Sequence, residues 1–290
     1  MHISITLIAA FIYQTNAKAS ETYQPSLPPE LIANATPVAN FGIGGESLSP
    51  LPPGLSLNVP PAKDALAILS DQSQNASVLQ IKVAASQNYQ TRDMKNGVSI
   101  SPYKTRSEIS MIGLPLSAYG EGNDRAYRIA IRLDASWIPD QSVAIFTQFK
   151  RDSAGPDMFL GVKRQSVVLR IGRSLAANDL QVLIFSNIAK AQWAEIILAV
   201  HWSTSGTGRV SVFYRYGDEA SYLRLPDIIG PNLQSTSSGT YIKFGIYKPE
   251  NFPSQVPPKT QQILDIGNIS IFSLKGRVPA NSISQRASKP

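Results

Sequence analysis

Apolar and polar residues alternate in short bursts along most of the chain. Val78–Val83, Arg106–Ile112, Tyr127–Leu133, Ser142–Lys150, Met158–Val162, Ser166–Ile171, Ala194–His201, Arg209–Tyr216, Tyr241–Tyr247 and Gln262–Phe272 show the pattern. Successive side chains of a strand point to opposite faces, so a period of two predicts β-strands. Gly, Asn, Asp and Pro punctuate the gaps. Ser205-Gly206-Thr207-Gly208 and Tyr216-Gly217-Asp218-Glu219 read as hairpin turns. Helical periodicity is weak, and its best candidate is a turn or two over Ala62–Ser70. Many strands and almost no helix predict an all-β domain, a β-sandwich or jelly roll, over residues 63–276. Two large sheets would leave one concave face for a long ligand.

The flanks break this pattern. Ile3 to Tyr13 is an uncharged apolar run, and Ala17-Lys18-Ala19 follows it with small residues at cleavage-site spacing. Residues 1–19 therefore read as an export signal, too short to span a bilayer, and the mature chain is expected to be secreted or periplasmic. The alternative for this run is a buried N-terminal strand. Residues 20–62 carry Pro25, Pro28, Pro29, Pro37, Pro50, Pro52, Pro53, Pro60 and Pro61. Proline breaks helices and lacks the strand N–H, so this stretch reads as a Pro-rich linker or extended arm, or as a segment lying along the domain surface. Residues 277–290 read as a C-terminal tail.

Composition narrows the chemistry. With 290 residues, 43% hydrophobic, the chain can bury a real core, which excludes wholesale disorder. Cysteine is absent, which excludes disulfides, thiolate metal sites and a cysteine nucleophile. His2 and His201 are the only histidines, so a His-rich metal centre is excluded as well. His201, beside Leu198-Ala199-Val200, reads as a structural residue rather than a base. Lys+Arg 27 against Asp+Glu 20 gives a net charge of +7, which favours anionic partners. The basic residues are dispersed, with pairs such as Lys150-Arg151 and Lys163-Arg164 the longest clusters, and nucleic-acid binding is not expected. No tight acidic constellation of the kind a glycoside hydrolase uses is present.

Three segments place polar groups on one face. In Tyr241-Ile242-Lys243-Phe244-Gly245-Ile246-Tyr247 the two tyrosines, Lys243 and Gly245 share a face, and Ile242, Phe244 and Ile246 form a core face. Gly245 would let a ligand approach the backbone. Gln148 and Lys150 share a face with Phe149 opposed to them, and Arg106 shares a face with Glu108. Glu108 reads best as an ion pair that orients the Arg106 guanidinium. Any half-exposed strand has a polar face, so each segment alone is weak evidence of function.

Taken in order, Arg106-Ser107-Glu108, then Gln148 and Lys150, then Tyr241 to Tyr247 resemble the polysaccharide lyases with an alginate-lyase, heparin-lyase or glucuronan-lyase type jelly roll. Those enzymes show an R-[ST]-E strand, a Q-x-H strand and a Y-x-K-x-G-x-Y strand lining a cleft. Gln192-Trp193-Ala194-Glu195 leading into Trp202, Gly208 and Val210 is similar to the family's Trp-containing strand and hairpin, and Leu264 to Ile269 to its closing strand. The similarity spans roughly residues 75 to 275. One departure is specific: Lys150 stands where the family usually carries a histidine.

The resemblance implies a concanavalin A-like jelly-roll β-sandwich with a concave glycan-binding cleft, and β-elimination on a uronate-containing polysaccharide. Removing the proton at C5 beside a carboxylate builds up a dianionic enolate unless cations and hydrogen-bond donors neutralise it. Arg106, Gln148 and Lys150 are the implied neutralising groups. Tyr247 is the implied proton-handling residue; its ordinary pKa of ~10 must fall, and nearby Arg106, Lys150 and Lys243 would favour the phenolate. Tyr241, Lys243 and Glu108 are the implied substrate-binding residues. No cofactor and no metal are expected, and the expected partner is an anionic polysaccharide bound by a monomer, with no membrane. A non-catalytic, lectin-like protein using the same face is the alternative.

Overall fold

The structure, a computed structural model, describes residues 27–41, 53–71, 76–84, 87–91, 94–95, 98–99, 104–139, 141–151, 155–172, 180–217, 219–235, 239–248 and 261–276. The expected export signal at 1–19 and tail at 277–290 lie outside them.

Each of the ten expected strands forms, with bounds moved by at most three residues, and two antiparallel sheets result. One is nine-stranded. Its order is Leu223–Arg224, Arg209–Tyr216, Trp193–His201, Asp124–Leu133, Gln262–Leu274, Ala76–Val83 and Leu66–Asp71, with Ile228–Ile229 paired to Arg209–Tyr216. The other is eight-stranded. Its order is Leu180–Phe185, Ser166–Ile171, Met158–Lys163, Val143–Arg151, Thr240–Lys248, Lys104–Ser110 and Ser56–Asn58, with Gln90–Thr91 beside Lys104–Ser110. The chain forms the expected jelly-roll sandwich.

The core lies between the sheets. Ile81, Ile131, Leu198 and Ile266 from the first sheet meet Ile109, Phe149, Leu169 and Ile246 from the second. Trp202 is fully buried, stacked on Tyr119 at a centroid distance of 4.0 Å and close to Phe149 and Tyr127. Its indole N–H donates to the Tyr127 hydroxyl at 3.0 Å, so the buried polar atom is satisfied. Because side chains alternate, filling this core with Ile242, Phe244 and Ile246 turns Tyr241, Lys243, Gly245 and Tyr247 outward.

Three expectations need correction or extension. Ala62–Ser70 supplies no helix; Leu66–Asp71 is a strand paired with Ala76–Val83, from Leu66 opposite Ile81 to Asp71 opposite Ala76. The run Leu-Ala-Ile-Leu suits either state, and pairing with Ala76–Val83 decides it by satisfying the backbone of a sheet edge. Leu180–Phe185 is a further edge strand. Ala35–Phe41 and Ser56–Asn58, inside the expected arm, are strands in the two sheets. Pro37 is tolerated because the register shifts between it and Ala39, a bulge at which a missing N–H does least harm. Leu31, in the short helix Pro29–Ile32, is fully buried against Ile197, Phe213 and Phe272 on the outer face of the nine-stranded sheet. The described part of the arm thus lies along the domain.

That same outer face holds a buried charge cluster. Arg128, 1% exposed, meets Glu195 at 2.7 Å, and Glu195 also accepts from Arg215 at 2.8 Å and from the Tyr222 hydroxyl at 2.7 Å. Burial alone would raise the Glu195 pKa, but the Arg128 charge and these hydrogen bonds hold it below the usual carboxylate range. Burial and the adjacent Glu195 charge push the Tyr222 phenol up to about 12. A depressed carboxylate stabilises the fold above its unfolded pKa of ~4.3, and that contribution disappears as pH falls through its folded value. The midpoint of urea denaturation is therefore expected to hold between pH 7 and 5 and to drop by pH 3. An unchanged midpoint at pH 3 would show that this cluster does not matter to stability.

Candidate active site

The seven residues singled out in the sequence all sit on the eight-stranded sheet, on the face away from the core. They come from three adjacent strands: Lys104–Ser110, Thr240–Lys248 and Val143–Arg151. Residues directly opposite each other in an antiparallel pair share a face with Cα atoms about 4.5–5.5 Å apart. Arg106 is opposite Tyr247, Glu108 opposite Gly245, Gln148 opposite Lys243, and Lys150 opposite Tyr241.

A bulge makes this alignment. The Val143–Arg151 strand shifts register between Ile145 and Thr147 against both of its neighbours. Phe146 and Phe149, three residues apart, therefore both enter the core. Ile145 and Gln148, also three apart, both face outward. Without that shift, the strand could not present Ile145 beside Tyr247 and Gln148 beside Lys243 at the same time.

Glu108 stands at the centre of the cluster, with its side chain 3% exposed. One carboxylate oxygen accepts from the Gln148 side-chain amide. The other lies 3.7 Å from Lys243 Nζ and 4.0 Å from Arg106 Nη1. The Arg106 Nε donates to Thr91 Oγ1 at 2.9 Å, which fixes the guanidinium from its other side. Lys150 Nζ donates to the Arg151 carbonyl at 3.2 Å. Arg106, Glu108, Gln148, Tyr241 and Lys243 are nearly buried; Lys150 and Tyr247 are half-buried. Charges packed this closely on one another feel little water, so their fields act more strongly than at an open surface.

Two details differ from the reading of the residues. Gly245 does not hold space for a ligand. It has φ +146°, and a Cβ built there would lie 2.6 Å from Glu108 Cα and closer still to the Ser107 carbonyl oxygen. The glycine lets the Lys104–Ser110 strand come close and so brings Glu108 over it. Thr91 was not foreseen, because the strand that carries it is only Gln90–Thr91 and has no periodicity to read. Tyr247 also packs against an outward apolar patch of Val143, Ile145, Phe159 and Val168, which emerges only once the bulge sets the register. His201 lies in the nine-stranded sheet, 2.8 Å from Asp124 through Nδ1, so among the described residues no histidine joins the cluster.

An antiparallel two-sheet sandwich of this kind is a jelly roll, and one of its outer faces gathers cations, an amide and tyrosines. Residues 70–266 match the family described as Polysaccharide lyase, and the chain belongs to that family. It is a polysaccharide lyase. Among solved structures, the endo-β-1,4-glucuronan lyase from the fungus Trichoderma reesei is similar, with TM-score 0.53 and 12% identity over 77% of this chain and 97% of that one. The alginate lyase from Klebsiella pneumoniae gives TM-score 0.52 and 12% identity, covering 77% of this chain and 96% of the other. The marine PL-14 alginate lyase from Aplysia kurodai gives 0.50 and 11%, covering 82% and 100%. At these identities the likeness is one of fold. No curated protein matches the sequence.

Proposed function

We propose that this lyase cleaves a uronate-containing polysaccharide by β-elimination on the outer face of the eight-stranded sheet. The observation that carries the reading is the direct cross-strand pairing of Arg106 with Tyr247, with Gln148 tied to Arg106 through Glu108. A cation, a phenol and an amide at that spacing are what an elimination beside a carboxylate requires.

In this reading Arg106 and the Gln148 amide, joined through Glu108, receive the uronate carboxylate. An amide has two N–H donors. Glu108 takes one, and the second is directed to the substrate. Lys150 does not join them: it is opposite Tyr241, six residues along the strand from Tyr247 and so roughly 20 Å away, and it meets a neighbouring sugar instead. Tyr247, as the phenolate, takes the proton from C5. The C5–H electrons form the C4=C5 double bond and the C4–O bond breaks. The phenol then returns its proton to the departing oxygen, which regenerates the phenolate. Lys243 and Tyr241 hold the adjoining sugar. The similar glucuronan and alginate lyases lend weight to an acidic substrate, as does the net charge of +7. Export rests on residues 1–19, and a mature N-terminus at Ser20 in protein recovered from outside the cytoplasm would test it.

The new double bond is conjugated with the carboxylate and absorbs in the ultraviolet. Incubation with polyglucuronate, polymannuronate or polyguluronate is expected to raise that absorbance for at least one polymer, with no change for a neutral β-glucan. Binding to these polymers with no absorbance change for any of them would instead favour a lectin-like role.

A further inference from the structure

We propose that Arg170 forms a second carboxylate-binding station on the same sheet face, so that the enzyme reads two separate uronates of one chain. This rests on the proposed polyuronate reading and extends it to a residue outside the catalytic cluster.

The register defines the station. Lys243 is opposite Gln148, Gln148 opposite Phe159, Phe159 opposite Arg170, and Arg170 opposite Gln181. These residues form one row running across the strands on the outward face. Neighbouring strands are about 4.8 Å apart, so Arg170 lies roughly 10 Å from Gln148 and roughly 14 Å from Lys243. These are backbone separations wider than one pyranose ring, and the station is assigned to a different sugar unit from the one at Gln148.

Two further features suit Arg170 to the task. Its guanidinium carbon stands 5.7 Å from the centroid of the Phe159 ring, which holds the planar group over an aromatic face and limits the freedom lost on binding. Arg170 is exposed, whereas Arg106, Gln148 and Lys243 are nearly buried, so this end of the row meets solvent and an incoming chain first. The side chain between the two charged stations is Phe159, 7% exposed. It offers no charge that would compete for the intervening carboxylate. A polymer with regularly repeated carboxylates fits a charged–apolar–charged row; a neutral glycan gains nothing from either end.

The test compares Arg170→Ala with wild type on two probes, long sodium alginate or polyglucuronate, whichever the wild type cleaves, and trimers of the same sugar. Arg170→Ala is expected to lower the ratio of polymer to trimer kcat/KM about fivefold, the size of one exposed charge contact. The loss should lie in KM rather than kcat and shrink as salt is raised from 0.05 to 0.5 M. Arg170→Lys should recover part of it. An unchanged ratio, or an equal loss on polymer and trimer, overturns the proposal while leaving the catalytic cluster intact. A wild type that cleaves no polyuronate fails the underlying reading instead, and binding of the same polymers by affinity electrophoresis then decides whether Arg170 still contributes.

Discussion

Tyr247→Phe is expected to lower kcat by about a thousandfold, within the range of ~10²–10⁴ for loss of a positioned general acid–base group. The change removes one oxygen atom. The ring keeps its packing against Val143, Ile145, Phe159 and Val168, and Tyr247 is only half-buried, so folding should be unaffected. Arg106, Gln148 and Lys150 remain, and KM for the polymer should stay within a few-fold of wild type. A thousandfold loss corresponds to about 4 kcal/mol of transition-state stabilisation, far more than one phenol–sugar hydrogen bond supplies at equilibrium. Turnover within tenfold of wild type would remove Tyr247 from proton transfer and leave it as a residue on which the sugar rests.

Gly245→Ala is the largest expected effect on stability. Its φ of +146° is strained for any residue with a Cβ, and the added carbon would meet the Ser107–Glu108 backbone, which no rotamer change can relieve. A loss of about 3 kcal/mol or more should follow, seen as a fall in Tm of roughly 6–12 °C for a domain of this size. Gly206→Ala is the matched control, because no atom lies within 4 Å of the Cβ position there. Separation of the Lys104–Ser110 and Thr240–Lys248 strands would also move Glu108 away from Gln148 and Lys243, so the surviving folded fraction should turn over slowly. A variant melting within about 2 °C of wild type would mean that the two strands can part at this point without cost.

The long strands were legible because each has one face in the core and one outside, which writes a period of two into Tyr127–Leu133, Arg209–Tyr216 and Tyr241–Tyr247. Arg209–Tyr216 and Ser166–Ile171 fall at the same bounds in sequence and structure. Short or edge segments are harder to read. Leu66–Asp71 pairs on one side only and carries an apolar run that suits a helix as well, and Ser56–Asn58 is too short to alternate. Ala35–Phe41 was hidden by Pro37, which a bulge accommodates. The polar face of each site strand could be read from alternation, but the alignment of the three strands could not. Register depends on the bulge at Ile145–Thr147 and on Gly245, and neither leaves a local signature that distinguishes it from an ordinary strand residue. The convergence of Gln148 and Lys243 on Glu108 follows from those two features.

Gln262–Leu274 joins three partners, with Ala76–Val83 along its first half, Ala35–Phe41 along its second, and Asp124–Leu133 on its other edge. During synthesis this strand leaves the ribosome after all of them. Until it arrives, the nine-stranded sheet remains three unconnected pieces, and closure of the sandwich waits for pairings between residues far apart in the chain, which form slowly. Formation of the complete sheet thus depends on residues 262–274, the last strand of the described chain.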